Sequence, residues 1–563
     1  MRSAPPHASR DAPQERTVGT LVAGLLVLLA ALAFLPGLAS VPPIDRDEPR
    51  YTQATKQMVE TGDYVRIRFQ DGPRHKKPIG IHWLQAVAVW MSGEGAAAPL
   101  WVYRLPSLLG AVAAILLTLW AARAFLPMPA ATCAAALLGA TVILGVEARL
   151  AKTDAVLLAT VVLMQGALAR VWLREASGNV VPLLFWLGLA LGILVKGPIA
   201  PMVAALTVLV LGWRSGWAFV PRLRPLLGML IVAAVCLPWF VAIGLATDGA
   251  FITTALGRDF LGKAAGGQEG HWAPPLTHLA VFFAVAWPMA PFALAAARLW
   301  ISERGPALLF AAAWAIPSWI VFEATPTKLP HYTLPLLPAV AIATVAVLWV
   351  RDPSPLWRRA AAVLALVTPV GLVGAALLAP LVIAHLMGEP VDAASAHDAP
   401  TVALALVPVV LALLATAAIW RGRPLLSRPV LVPAVGSALA AQAVVWGLLL
   451  PSLSAVWISP RLVAAAEAVA TCREPRVVSV GGYNEPSMIF LAGTDTALVN
   501  AAEAVAIAAQ ECAVIAASER RLEEVRLEAE AAGVPLAELG TITGFNISKG
   551  DPVSLTLFAR DRP

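Results

Sequence analysis

Five short clusters carry the side chains that could do chemistry. They are DRDEPRY at 45–51 with RHKKPIG at 74–80, EARLAKTD at 147–154, VKGP at 195–198, GRDFLGK and EGHWAPP within 247–275, and TPTKLPHY at 325–332. All but EARLAKTD set a lysine or an acid beside a glycine or proline that can interrupt a helix. Carboxylates can orient or deprotonate a polar substrate, and cations can hold an anion. Taken singly, each cluster reads as an ordinary solvated helix end. All five adjoin apolar runs, where charge is costly and usually lines a cavity or a substrate path. On one side of a membrane they would make one site.

The elements that must position them are apolar. Of 563 residues, 59% are hydrophobic and 13% charged, with a mean hydropathy of +0.75; soluble chains average roughly 25% charged. Spanning a hydrocarbon core takes roughly 20 residues, and about thirteen runs qualify: 18–40, 104–126, 130–150, 154–176, 180–197, 199–213, 224–246, 276–300, 306–324, 332–350, 360–386, 401–420 and 431–457. The fold class expected is therefore a polytopic α-helical membrane protein. The polar segment 1–17 reads as a cytoplasmic tail, and the run after it as an uncleaved span. VKGPIAP reads as a reversal between two helices rather than a kink.

Arginines set the orientation. Arg123, Arg170, Arg174, Arg214, Arg222, Arg224, Arg298, Arg304, Arg351, Arg358, Arg359, Arg421, Arg423 and Arg428 fall in alternate connections, which the positive-inside pattern places in the cytoplasm. The five clusters then lie outside. So does 41–103, although it is basic; a loop of that length translocates largely regardless of charge. The expected transmembrane domain is 18–457. Beyond 457, alternating short strands and amphipathic helices predict a small α/β domain over 458–563, also outside. Its REPRVVSVGGYNEPSMIFLAG segment reads as strand, with GGYNEPS a loop that matches no nucleotide fingerprint. An oxidising compartment permits a bridge between Cys472 and Cys512. Cys133 and Cys236 sit in apolar runs, where a buried hydrophobe is the default.

The order of these motifs carries a resemblance. DEPRYTQATKQMVETGDYVRIRFQDGPRHKKPIG, then Lys152-Thr153-Asp154, Val195-Lys196-Gly197, DFLGKAAGGQEGHWAPP and Lys328-Leu329-Pro330-His331-Tyr332 resemble, in sequence, bacterial aminoarabinose transferases that modify lipid A. Those are GT-C-class membrane glycosyltransferases related to protein O-mannosyltransferases. The resemblance runs over roughly 18–350 and implies a polyprenyl-phosphate-linked sugar as donor, and lipid A or another envelope lipid or glycan as acceptor. The implied place is the periplasmic face of the bacterial inner membrane, with membrane lipids as partners and no nucleic acid. It implies Asp47 and Asp154 as catalytic carboxylates, and Lys77, Lys263 and Lys196 as cations for the donor phosphate. Glu48, Arg50, Tyr51, Arg258, His271, Lys328, His331 and Tyr332 are implied as substrate-binding or supporting.

One position departs from the pattern. Lys76 stands where the family has a glutamate, which in some members shares a metal site with a histidine. His271 and His75 remain, two histidines do not define a zinc site, and a divalent metal stays open. The extra cation also leaves the sugar open among aminoarabinose, glucose, galacturonate and mannose. An extended chain before Pro78 would point Lys76 and Lys77 to opposite faces, and the resemblance implies Lys77 as the one toward the cavity. The other readings are a protein O-mannosyltransferase-like enzyme and, in a different class, a transporter or flippase of lipid-linked sugars. A transporter is expected to carry its charges at the bilayer midplane in two related halves.

Overall fold

The computed structural model describes residues 12–175, 178–255, 273–390, 396–469, 472 and 474–560. Among these, eight helices are long and apolar enough to cross a membrane, or nine if Met128–Gly139 and Val142–Arg149, bent by 61°, form one span. Four more apolar helices, Gly19–Phe34, Val180–Lys196, Ile199–Ser215 and Met289–Ser302, are shorter. Each apolar run read from the sequence falls on a helix. The run at 276–300 divides into Thr277–Val285 and Met289–Ser302, where Pro288 removes a backbone donor. VKGP is a reversal: Gly197 sits at φ 63° between Val180–Lys196 and Ile199–Ser215. That left-handed conformation is one glycine takes without strain.

The first loop is more ordered than its polarity suggests. It holds helix Asp47–Thr61, a hairpin pairing Arg68–Phe69 with Gly72–Pro73, and helix Gly80–Ser92. Asp47 and Glu48 stand in the first turn of the first helix, where the dipole favours acid. Gly62, at φ 70°, ends it by donating to the Met58 carbonyl. Gly80 begins the third element, and a Cβ there would lie 2.7 Å from the Leu194 carbonyl oxygen. Only glycine lets this helix approach Val180–Lys196 so closely.

A buried ion pair fastens the loop to the bundle. Arg104, on helix Leu100–Ala122, meets Glu48 with both edges (Nε to Oε1 at 2.8 Å, Nη2 to Oε2 at 2.9 Å). Arg104 also donates to the Leu38 and Val41 carbonyls, and Glu48 accepts from the Ile44 and Ala151 amides. Neither charge is left without partners, the condition under which burial is tolerated.

Residues from Ile458 onward form a separate α/β layer. The sheet order is Ala497–Leu498, Arg476–Val480, Ala513–Ser518, Asp551–Arg560, Leu536–Asn546; the first three strands are parallel and the last two antiparallel to their neighbours. Helices Ala501–Gln510 and Leu522–Ala531 lie where the sequence places them. The first strand ends at Val480, before the GGYNEPS loop, but the rest of the segment read as strand differs: Pro486–Ala492 is a helix, with Pro486 at the first position, where a missing N–H costs nothing. Cys472 and Cys512 are joined, their Cα atoms 6.4 Å apart, so the bridge ties together the two segments that enter neighbouring parallel strands. Cys133 and Cys236 are free and buried.

Candidate functional site

A cavity of about 1280 Å³ opens where the first loop meets the helix ends, and four of the five clusters reach it. Asp47, Arg50 and Tyr51 come from the first loop helix, Arg74 to Pro78 from the turn after the hairpin. Lys152 to Asp154, Lys196 to Pro198, and His331 with Tyr332 come from three further connections; Phe251 to Ala255, excepting Thr253, form the described part of the remaining one. Segments more than 280 positions apart in sequence thus share one wall. Apolar side chains complete the lining, among them Ile199, Met202, Phe240, Phe251 and Phe322. Ile252 and Val321 line the cavity while being 39% and 37% exposed, so its rim shows apolar surface outward.

Its polar end is a ring of alternating charge. Lys152 Nζ donates to Glu147 Oε1 at 3.0 Å, and Lys196 Nζ to Asp154 Oδ1 at 2.5 Å. His331 stands between these pairs, 3.7 Å from Glu147 and 3.8 Å from Asp154, within ion-pair reach but beyond a hydrogen bond. Lys196 also sits over the Tyr332 ring, 5.7 Å from its centre. The Arg74 guanidinium stacks on Tyr51 at 4.7 Å, which fixes a flat cation on the cavity wall.

Asp47 is open to the cavity yet ringed by protein. That surround would lift its carboxyl, but Lys152, then Arg74 and His331, outweigh it and hold Asp47 below the ordinary carboxylate range. For Lys152, burial opposes the charge and Glu147, Asp154 and Asp47 overcome it, so its ammonium is held more firmly than usual. Burial pushes the Tyr51 hydroxyl up, out of reach of ionisation. Asp47 begins its helix directly after Arg46, whose φ of 83° is rare for a residue with a side chain.

The sequence-expected residues sort as follows. Asp47, Asp154, Lys77, Lys196, Arg50, Tyr51, His331 and Tyr332 all line the cavity. Glu48 reaches its edge but is spent on Arg104. Lys328 does not line it; its Nζ donates to the Thr325 carbonyl at 2.7 Å, closing the end of helix Pro306–Ala324. Arg258, Lys263 and His271 lie outside the described residues. The chain around Lys76 turns rather than extends, and both Lys76 and Lys77 reach the wall, Lys76 the more exposed. The alternation expected for an extended segment is therefore absent. Lys152, Glu147, Arg74 and Arg104 were not singled out from sequence. EARLAKTD contains the first two five positions apart, a pairing readable only after the break at Leu150 is known. Among the described residues, no three His, Cys, Asp or Glu side chains converge as a metal cluster.

Comparisons with known proteins bear on the family resemblance and the fold. Residues 76–241 match the family model described as dolichyl-phosphate-mannose-protein mannosyltransferase. An undecaprenyl phosphate-alpha-4-amino-4-deoxy-L-arabinose arabinosyl transferase of Edwardsiella ictaluri is 26% identical over 344 residues, 58% of this chain and 59% of the relative. Its counterpart in Pseudomonas paraeruginosa is 28% identical over 333 residues, 56% and 58%. The match thus spans about three-fifths of these curated relatives. The crystal structure of ArnT from Cupriavidus metallidurans bound to undecaprenyl phosphate superposes with a TM-score of 0.68 at 18% identity, over 95% of this chain and 97% of that one. The oligosaccharyltransferase AglB from Archaeoglobus fulgidus follows at 0.51 and 12% identity, over 98% and 74%. The chain resembles the aminoarabinose transferases in sequence and has the fold of a polytopic helical GT-C membrane protein.

Proposed function

We propose that this protein transfers a sugar from a polyprenyl-phosphate-linked donor to lipid A or another envelope lipid or glycan, at the periplasmic face of a bacterial inner membrane. The observation that carries the reading is the cavity itself: its lining joins Asp47, Asp154, Lys77 and Arg74 with apolar side chains, among them the partly exposed Ile252 and Val321. Such a space suits a substrate with a charged head and a hydrocarbon tail. The similar ArnT structure was obtained with undecaprenyl phosphate, a ligand of that chemistry. Reading the shorter apolar helices and the bent pair as crossings gives about thirteen spans. The arginine parity then places the cavity and the 458–563 domain outside.

In the transfer, an acceptor oxygen forms a bond to the anomeric carbon of the sugar as the bond from that carbon to the lipid phosphate oxygen breaks. The electron pair leaves with the phosphate. Lys77 is placed to stabilise that developing charge, in a site where little water screens it. Lys263 has the same role by resemblance. Lys196 is engaged with Asp154, so its first task is to hold that carboxylate in place. A hydroxyl acceptor would give its proton to Asp47; an acceptor phosphate is already ionised and would need Asp47 and Asp154 only for positioning. The low proton affinity of Asp47 favours the second case. Lys76 adds positive charge to the wall and suits an anionic acceptor or sugar.

The test is direct. Purified protein in detergent, given polyprenyl-phosphoryl sugar and a lipid acceptor, should release polyprenyl phosphate and form glycosylated acceptor, both read by mass spectrometry. Intact donor after prolonged incubation with each candidate sugar would overturn the reading, and a transporter would leave it intact. Envelope lipids compared with and without the gene would name the sugar.

A further inference from the structure

The α/β layer touches the first loop through a set of bonds that the transfer chemistry does not require. Asp45 lies two residues before Asp47, and its carboxylate accepts from both the backbone amide and the hydroxyl of Ser487, at 2.9 and 2.8 Å. Ser487 is the second residue of helix Pro486–Ala492, whose own flanking residue Glu485 makes no capping bond. Asp45 therefore supplies, from another part of the chain, the acceptor that a helix start ordinarily takes from its own preceding residue.

Behind Ser487 runs a directed chain of hydroxyls. Ser487 Oγ is 2.6 Å from Ser459 Oγ, which is 2.7 Å from the Tyr483 hydroxyl, all buried. With Ser487 donating to Asp45, each hydroxyl can accept from the next, so the chain ends on the carboxylate. Tyr483 sits in GGYNEPS, and Ser479 Oγ donates to its carbonyl from the preceding strand.

Four further contacts tie helix Asp47–Thr61 and the hairpin turn after it to the same layer. Gln53 Nε2 donates to Thr494 Oγ1 at 2.7 Å, and Thr494 Oγ1 donates to Glu60 at 2.8 Å. Gln70 Nε2 donates to the Thr496 carbonyl at 2.6 Å, and Lys56 Nζ to the Phe490 carbonyl at 3.3 Å. Helix Asp47–Thr61 is thereby held between the α/β layer and the membrane bundle, which grips it through Glu48 and Arg104.

We propose that the α/β layer is a working part of the site, and that Asp45, by capping helix Pro486–Ala492 across the interface, is a positioning residue for the helix that carries Asp47. The kinetic part of this rests on the transferase reading; the docking part does not. Burial pushes the Asp45 carboxyl up to about 6, with the bonds from Ser487 pulling down, Glu485 raising it and Arg50 lowering it. Tyr483 faces it as well. A raised carboxyl favours the docked state when protonated. Docking is then tightest near the ordinary value of 3.8 and loosens as pH rises through about 6. An asparagine keeps an acceptor for the amide and has no charge to lose.

The experiment is amide hydrogen exchange on the full-length protein in nanodiscs at pH 5.0 and 7.5, corrected for intrinsic rates, with transfer kinetics alongside. Asp45→Ala should raise exchange in 487–492 and in 47–61 together, roughly tenfold for a lost cap. It should also lower kcat by a similar factor with KM for the donor unchanged. Asp45→Asn should stay near wild type and lose the pH dependence of exchange. Ser487→Ala, which keeps the backbone donor, should give a smaller change of the same kind and serves if Asp45→Ala does not fold. A loosened 487–492 with unchanged exchange in 47–61 would overturn the proposal, as would Asp45→Asn behaving like Asp45→Ala. If the wild type shows no transfer, the transferase reading falls while the exchange data still decide the docking.

Discussion

At the scale of single residues, Asp47 and Asp154 face one cavity with different freedom. Asp154 is already bonded to Lys196 at 2.5 Å, whereas no hydrogen bond from a described residue engages the Asp47 side chain. Asp47→Asn should reduce transfer on the order of 10²-fold, the usual weight of a positioned carboxylate, with folding intact. Asp154→Asn should lose as much and also release Lys196, which a change in binding of an anionic donor analogue would reveal. Near-normal turnover in both variants would leave the cations as the main source of rate. Because Lys152, Arg74 and His331 hold the Asp47 carboxyl below its ordinary range, its contribution is present above that depressed value and lost only as pH falls through it. The wild-type rate, measured on folded protein, should therefore not fall from pH 7.5 to about 5 on account of Asp47. Lys77 and Lys76 differ by burial. Lys77→Ala should weaken polyprenyl-phosphate binding roughly ten- to a hundredfold, and the more exposed Lys76 much less. Equal small losses in a binding titration would instead point to lipid headgroups as the partner of both.

At the scale of elements, the decisive piece is helix Asp47–Thr61, and it was not legible as a helix. Its buried residues are Glu48, Pro49, Tyr51, Thr52, Gln53, Ala54, Thr55, Gln57 and Met58, a face too polar to show the apolar stripe by which a helix is read. It is stable because other parts of the chain supply its side-chain hydrogen bonds, and partners such as Gln70 and Thr494 lie 13 and 441 positions away. The motif DEPRY was readable; that Glu48 belongs to Arg104 was not. Helix Pro486–Ala492 was missed for another reason, since seven residues are too few to display a period. Glu48→Gln should test the fastening. It leaves the Arg104 guanidinium buried without its counter-charge, a loss of about 3–5 kcal/mol for a broken buried pair. Thermal unfolding in detergent should show a clear drop in Tm together with lost transfer. An unchanged Tm would mean that the Leu38, Val41 and Pro42 carbonyls, which all accept from Arg104, suffice.

At the scale of the whole molecule, the apolar runs were the most legible feature, because bilayer thickness imposes a length on each of them. The convergence of the four described clusters was half legible: parity of the loops puts them on one side, but only packing decides that they share a cavity. The 280-odd positions separating its walls hold no local signal of contact. Reporter fusions after Pro73 and at the carboxyl end should both report the periplasm, and a cytoplasmic signal from either would overturn the orientation of the site. The exposed Ile252 and Val321 at the cavity rim have a consequence for how the protein must be assayed. A substrate whose tail enters past such a rim arrives by moving sideways within the lipid layer and never crosses bulk water. The quantity that governs its supply is then its mole fraction in the bilayer or micelle. Adding inert detergent at constant total donor should slow turnover by two-dimensional dilution, and donor measured per litre will give a Michaelis constant that changes with the amount of detergent present.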